Sequence, residues 1–103
     1  MRAVIAWWDL GDSDQTIDSL RDHLGTEGVT QWTKVPGLRL KIWLSDRPGN
    51  RWGGAMLWDH GHPAEGQALP PNRATELIGY PPTERVEFDI EVVVEAGTAR
   101  ICS

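Results

Sequence analysis

The chain has 103 residues, with 10 lysines and arginines against 15 aspartates and glutamates, a net charge of −5. That length holds one domain, residues 1–103, which can close a single core with little stability to spare. The acidic balance excludes a general nucleic-acid binder, which needs a basic face to neutralise phosphates. No run of about 18 apolar residues marks a membrane span, so no membrane partner is expected.

The first residues, from Met1 to Asp9, read as a strand and reach a charge too early for a secretory core. Cys102 is the single cysteine, so no internal disulfide and no thiolate zinc site is expected, and the expectation is a cytoplasmic protein. Six tryptophans stand against one tyrosine and one phenylalanine. Indoles fill cores, and they also line ligand pockets and interfaces.

Val4, Ala6, Trp8 and Leu10 alternate with Ala3, Ile5 and Trp7, which predicts a central strand covered on both faces. Asp12, with Gln15 three residues on, reads as the cap of a helix whose apolar stripe is Ile17, Leu20 and Leu24 and whose stop is Gly25. Helical spacing resumes around Val29 and Trp32. After Pro36-Gly37, Leu38, Leu40, Ile42 and Leu44 alternate with Arg39, Lys41, Trp43 and Ser45, a clear strand. Residues 46–50 are a turn, and 51–59 the returning strand of a hairpin, in which Gly53-Gly54 suggests a bulge or a close backbone approach.

Residues 60–71 are irregular. Asn72 caps a short helix from Arg73 to Ile78, ended by Gly79, and Tyr80-Pro81-Pro82 is a rigid connector. Residues 84–95 alternate as one long strand with an apolar and an acidic face; the tail from Ala96 is a short extra strand or frays. The order strand, helix, strand, strand, helix, strand is the ferredoxin-like βαββαβ pattern of an α+β domain, a four-stranded antiparallel sheet with helices on one face. Leu38, Leu40, Ile42 and Leu44 then belong to the core, while Arg39, Lys41 and Trp43 face outward with Glu87, Asp89 and Glu91. A two-fold homodimer stacking those outer faces would bury Trp43 and bring Lys41 to its partner's acidic strand.

The stretch Val35-Pro-Gly-Leu-Arg-Leu-Lys-Ile-Trp-Leu-Ser-Asp46, followed by Trp52-Gly-Gly-Ala-Met-Leu-Trp58, resembles the YdhR-like monooxygenases, within the dimeric α+β-barrel superfamily of antibiotic-biosynthesis monooxygenases. The Pro-Gly before the strand, the Lys-x-Trp within it and the Gly-Gly of the returning strand carry the resemblance, over about residues 34–59. It implies a dimeric α+β barrel with a small-molecule pocket between sheet and helices in each subunit. It also implies oxidation of a small aromatic or polyketide-like substrate without metal or flavin. The prolines at 70–71 and 81–82 interrupt the long second helix that the resemblance would place there.

His60 and His62, spaced i, i+2 beside Asp59, read as a polar turn or as a general base; a metal would need a third ligand, and His23 is the remaining histidine. Arg73 and Tyr80 can hold a substrate oxyanion or carbonyl, with Asn72 beside them. The candidate catalytic residues are thus His60, His62, Arg73 and Tyr80. The candidate substrate contacts are Trp8, Trp58 and Asn72, with no metal and no cofactor. Trp52, near the turn, reads as an edge or lid residue. Two alternatives to the oxygenase stay open. One is a non-catalytic ligand-binding module, which would have no titratable group at the centre of its pocket. The other is a cyclase or isomerase, which needs an acid–base group but no oxygen.

Overall fold

The computed structural model describes residues 1–59 and 74–101. Strands β1 (Arg2–Asp9), β2 (Leu38–Asp46), β3 (Arg51–Trp58) and β4 (Glu84–Asp89) form one antiparallel sheet in the order β2-β3-β1-β4. Helix α1 (Ile17–Thr30) and a 3-10 turn (Gln31–Lys34) join β1 to β2, and α2 (Ala74–Ile78) precedes β4. A separate hairpin, β5 (Val92–Glu95) and β6 (Thr98–Ile101), follows. This is a small α+β arrangement, a four-strand antiparallel sheet with a few helices, consistent with a ferredoxin-like fold.

Thr16, not Asp12, caps α1. Its Oγ1 accepts from the Ser19 N–H at 3.0 Å, and Ser19 Oγ accepts from the Thr16 N–H at 2.8 Å, a reciprocal capping box. Asp12 is excluded because the chain spends residues 10–15 on a turn, with Ser13 N–H on the Leu10 carbonyl and Ser13 Oγ donating to the Ile78 carbonyl at 2.9 Å. Gly25, at φ 49° and ψ 178°, breaks the helical path as expected, after which helical residues resume and lead into the 3-10 turn. The β2–β3 turn is held by Asp46, which accepts from the Arg51 guanidinium at 3.0 Å and the Gly49 N–H at 3.2 Å. Those two bonds hold its carboxyl below the usual carboxylate range.

One irregularity decides which way the sheet faces. Leu38 pairs with Trp58, but Leu40 pairs with Leu57, so β2 has one residue more than β3, and Arg39 is the extra one. Such a bulge moves every later side chain to the opposite face. The strict alternation expected over Leu38–Ser45 is present, but its phase is reversed after Leu38. Leu38 packs inward, while Lys41 and Trp43 follow it onto the helix-covered face. Leu40, Ile42 and Leu44 point to the open side and are 46%, 38% and 43% exposed. The expected outward placement of Lys41 and Trp43 is therefore corrected, and so is that of Glu87 and Asp89, which pair with Val4 and Arg2 on the covered face.

The covered face holds two apolar clusters. Trp8, Leu10 and Trp52 pack with Ile17 and Leu20 of α1 and Ile78 of α2. Val4 and Trp58 pack with Trp32 and Val35 after α1. Trp43 touches both clusters, and Trp52 is a core residue rather than the expected edge or lid.

The long strand expected over 84–95 stops at Asp89. Asp89 is the register partner of Arg2 in β1, and Ile90 N–H reaches the Met1 carbonyl at 3.0 Å. The chain folds back on itself as β5 and β6.

Gly53-Gly54 marks a close approach, as expected. A Cβ on Gly53 would lie 2.5 Å from the Ala6 carbonyl oxygen and 2.9 Å from Trp7 Cβ. Gly53→Ala is expected to force these strands apart and lower stability by about 1–3 kcal/mol, read as a lower urea midpoint with an unchanged slope.

Candidate functional site

Pairing across the sheet builds a hollow from what is missing. On the covered face one row runs Trp43, Gly54, Ala6, Arg85; the row on one side is Ser45, Trp52, Trp8, and on the other Lys41, Met56, Val4, Glu87. The middle row has almost no side chain at its centre, while its neighbours carry indoles and a methionine. A hollow of about 160 Å³ results, walled by Trp8, Trp43, Trp52 and Met56, with Ala74 and Thr75 of α2 and Pro82 at its rim. Apolar cavities of about 150 Å³ accept a benzene-sized ring, so the space suits one aromatic ring rather than a fused polycycle.

Two cations border it. Arg85 Nη2 pairs with Glu87 Oε1 at 3.0 Å, and Glu87 is shared with Arg2. Lys41 has no such partner among the described residues. Its Nζ lies 4.2 Å from the Trp32 ring centre and 4.9 Å from that of Trp43, between two indole faces. Partial burial lowers its pKa from 10.5 to about 8, because removing water disfavours the ammonium. Lys41 also borders a second hollow of about 230 Å³, lined by Val29, Trp32, Leu38 and Arg39.

The structure brings together some of the anticipated residues. Trp8 lines the 160 Å³ hollow, its ring fixed by a bond from Nε1 to the Tyr80 carbonyl at 2.9 Å. The Tyr80 hydroxyl donates to the Asp9 carbonyl, and its ring packs against the first cluster. Trp58 is 2% exposed in the second cluster and does not line the 160 Å³ hollow. His60, His62, Asn72 and Arg73 lie outside the described residues. Lys41, Trp43, Trp52, Met56 and Arg85 are lining residues that the alternation of β2 and the position of Trp52 concealed. The abundance of tryptophan was the available signal: treating Trp43 as core like its fellows would have carried Lys41 inward with it.

Among the described residues no three His, Cys, Asp or Glu side chains come together as a metal site, and no helix is long and apolar enough to cross a membrane. No known protein-family model matches the chain, and no curated protein matches it.

Ala6→Leu is expected to fill the hollow and abolish binding of single-ring aromatics, with melting temperature unchanged or raised, as followed by tryptophan fluorescence and thermal unfolding. The depressed Lys41 pKa has a definite sign. Between pH 8 and 10.5 the unfolded chain holds this proton and the folded one does not, so this contribution to stability rises with pH across that window. Comparing wild type with Lys41→Met from pH 7 to about 10.5 should show that rise in wild type alone.

Proposed function

We propose that the chain is a ferredoxin-like βαββαβ subunit of a homodimeric α+β barrel, and that it takes a small aromatic molecule into the indole-walled hollow for cofactor-free oxygenation. The observation that carries the ligand reading is the Gly54-Ala6 gap between rows of tryptophan on the covered face. The resemblance of residues 34–59 to the YdhR-like monooxygenases supports the reaction class. A non-catalytic module would have a pocket free of titratable groups, and Lys41 opening onto this one favours an enzyme.

The chemistry asked of such a site is modest. An activated CH₂ of the substrate loses a proton. The resulting carbanion gives an electron to O₂, and the pair recombines to a hydroperoxide, which loses water to leave a carbonyl. One O₂ is consumed per substrate, with one oxygen atom in the product and one in water. Fixed positive charge favours the first step, since it stabilises the anion that forms.

The dimer reading rests on the open face. Its three cross-strand rows are Leu40, Leu57, Ala3, Phe88; Ile42, Ala55, Ile5, Val86; and Leu44, Gly53, Trp7, Glu84. Glu84 is the one polar member. From strand and residue spacings the face measures about 19 Å by about 20 Å, roughly 400 Å² in projection, a size that marks an interaction surface. A notch of about 230 Å³ over Gly53, between Trp7 and Leu44, offers a seat for a side chain of the second copy. The contacts are thus apolar rather than the expected lysine-to-acid pairs, since Lys41 of β2 and Glu87 and Asp89 of β4 all lie on the covered face.

Light scattering should give about 23 kDa, twice the 11.5 kDa chain mass, and Ile42→Glu should give monomer. Oxygen uptake with a single-ring aromatic bearing an activated CH₂ tests the activity. No uptake above the uncatalysed rate overturns the oxygenase, and turnover without oxygen uptake would indicate the cyclase or isomerase.

A further inference from the structure

We infer that Lys41 is the charge-recognising residue of the hollow and that its ligand is an anion, a single aromatic ring bearing a carboxylate. The inference rests on the proposed ligand site and names what that site selects. Three features lead to it. The bulge at Arg39 turns Lys41 onto the covered face, where it loses water and, among the described residues, gains no carboxylate. The two indoles contact the ammonium through their ring faces, which hold a cation in place without neutralising it. The gap beside it accommodates one ring and little more.

Among the described residues, the charges around the hollow suit an anion. The other charged groups lining the two hollows with Lys41 are both cationic: Arg85 from β4 and Arg39 from β2. Their carboxylates are already engaged, Glu87 with Arg85 and Arg2, and Asp59 and Glu95 with Arg39 at 3.3 and 3.5 Å. The neighbours on the other packed elements, Trp32 in the 3-10 turn and Met56 on β3, carry no charge. A part-buried ammonium without a counter-ion is unfavourable, and an entering carboxylate removes that penalty while its ring stacks on the indole walls. A neutral ring of the same shape gains only the stacking.

The test is a titration of the full chain with benzoate and with benzamide, its neutral isostere, followed by indole fluorescence and by the indole N–H signals in NMR. Benzoate is expected to bind about ten-fold more tightly than benzamide near pH 6.5. Lys41→Met should bring the benzoate-to-benzamide affinity ratio to about one, and Lys41→Arg should keep it. In wild type the preference should shrink as pH rises through about 8, where the free ammonium is lost. That profile needs no variant, so a misfolded Lys41→Met would not shield the inference. Equal binding of the two ligands, or a preference indifferent to Lys41→Met and to pH, overturns the role of Lys41 and leaves a ring-binding hollow. Binding of neither overturns the hollow as a ligand site, and this inference with it.

Discussion

A single extra residue in β2 governs this molecule. With Arg39 unmatched across the ladder, the strand enters with Leu38 inward and continues with Lys41 and Trp43 inward. The aliphatic residues that would have made an ordinary core are left on the open side. Arg39 is tied in place by Asp59 and Glu95, part-exposed pairs that contribute about 0–1 kcal/mol each. Their role is to hold the position of the bulge more than to add stability. Without the shift, Trp43 could not join the two apolar clusters, and no cation would face the hollow.

The hollow itself is a matter of subtraction. Gly54 and Ala6 occupy the middle of a row flanked by Trp52 and Trp8 on one side and Met56 and Val4 on the other, and Ala74 and Thr75 of α2 also line the space. Larger side chains there would add contacts, on the order of 1–3 kcal/mol for a buried aliphatic group. Small residues thus leave packing energy unused at the one place where a cation and three tryptophans converge. The walls are stiff: Trp8 is anchored through the Tyr80 carbonyl, and the Tyr80 hydroxyl returns to the Asp9 carbonyl. The same two residues clamp the end of β1 to the segment that follows α2, so ring placement and fold closure share their bonds.

The two faces of the sheet serve different ends for one reason. β1 is apolar on both sides, with Val4 and Trp8 turned to the helices and Ile5 and Trp7 to the open face. The helices pack on one side, which leaves Leu40, Ile42, Leu44 and Phe88 exposed on the other.

The residues by themselves determined the elements that depend on local chemistry. Period-two alternation set β1 and β2, the 46–50 turn the returning strand β3, Gly25 the break in α1 and the Ile17, Leu20, Leu24 stripe its buried face, because spacing and backbone freedom are properties of the chain alone. The four-stranded sheet with helices on one side followed from their order. What only the tertiary structure decided is phase and reach. Alternation is unchanged by a one-residue slip, so nothing local distinguishes Lys41 inward from Lys41 outward; the pairing of Leu38 with Trp58 and of Leu40 with Leu57 makes that choice. β4 ends where its register with β1 ends, at Asp89 opposite Arg2, and the cap of α1 was set by the turn that ties Ser13 to Ile78. Both depend on residues tens of positions away, and so does the floor of the hollow, which exists because Gly54 meets Ala6 across the ladder.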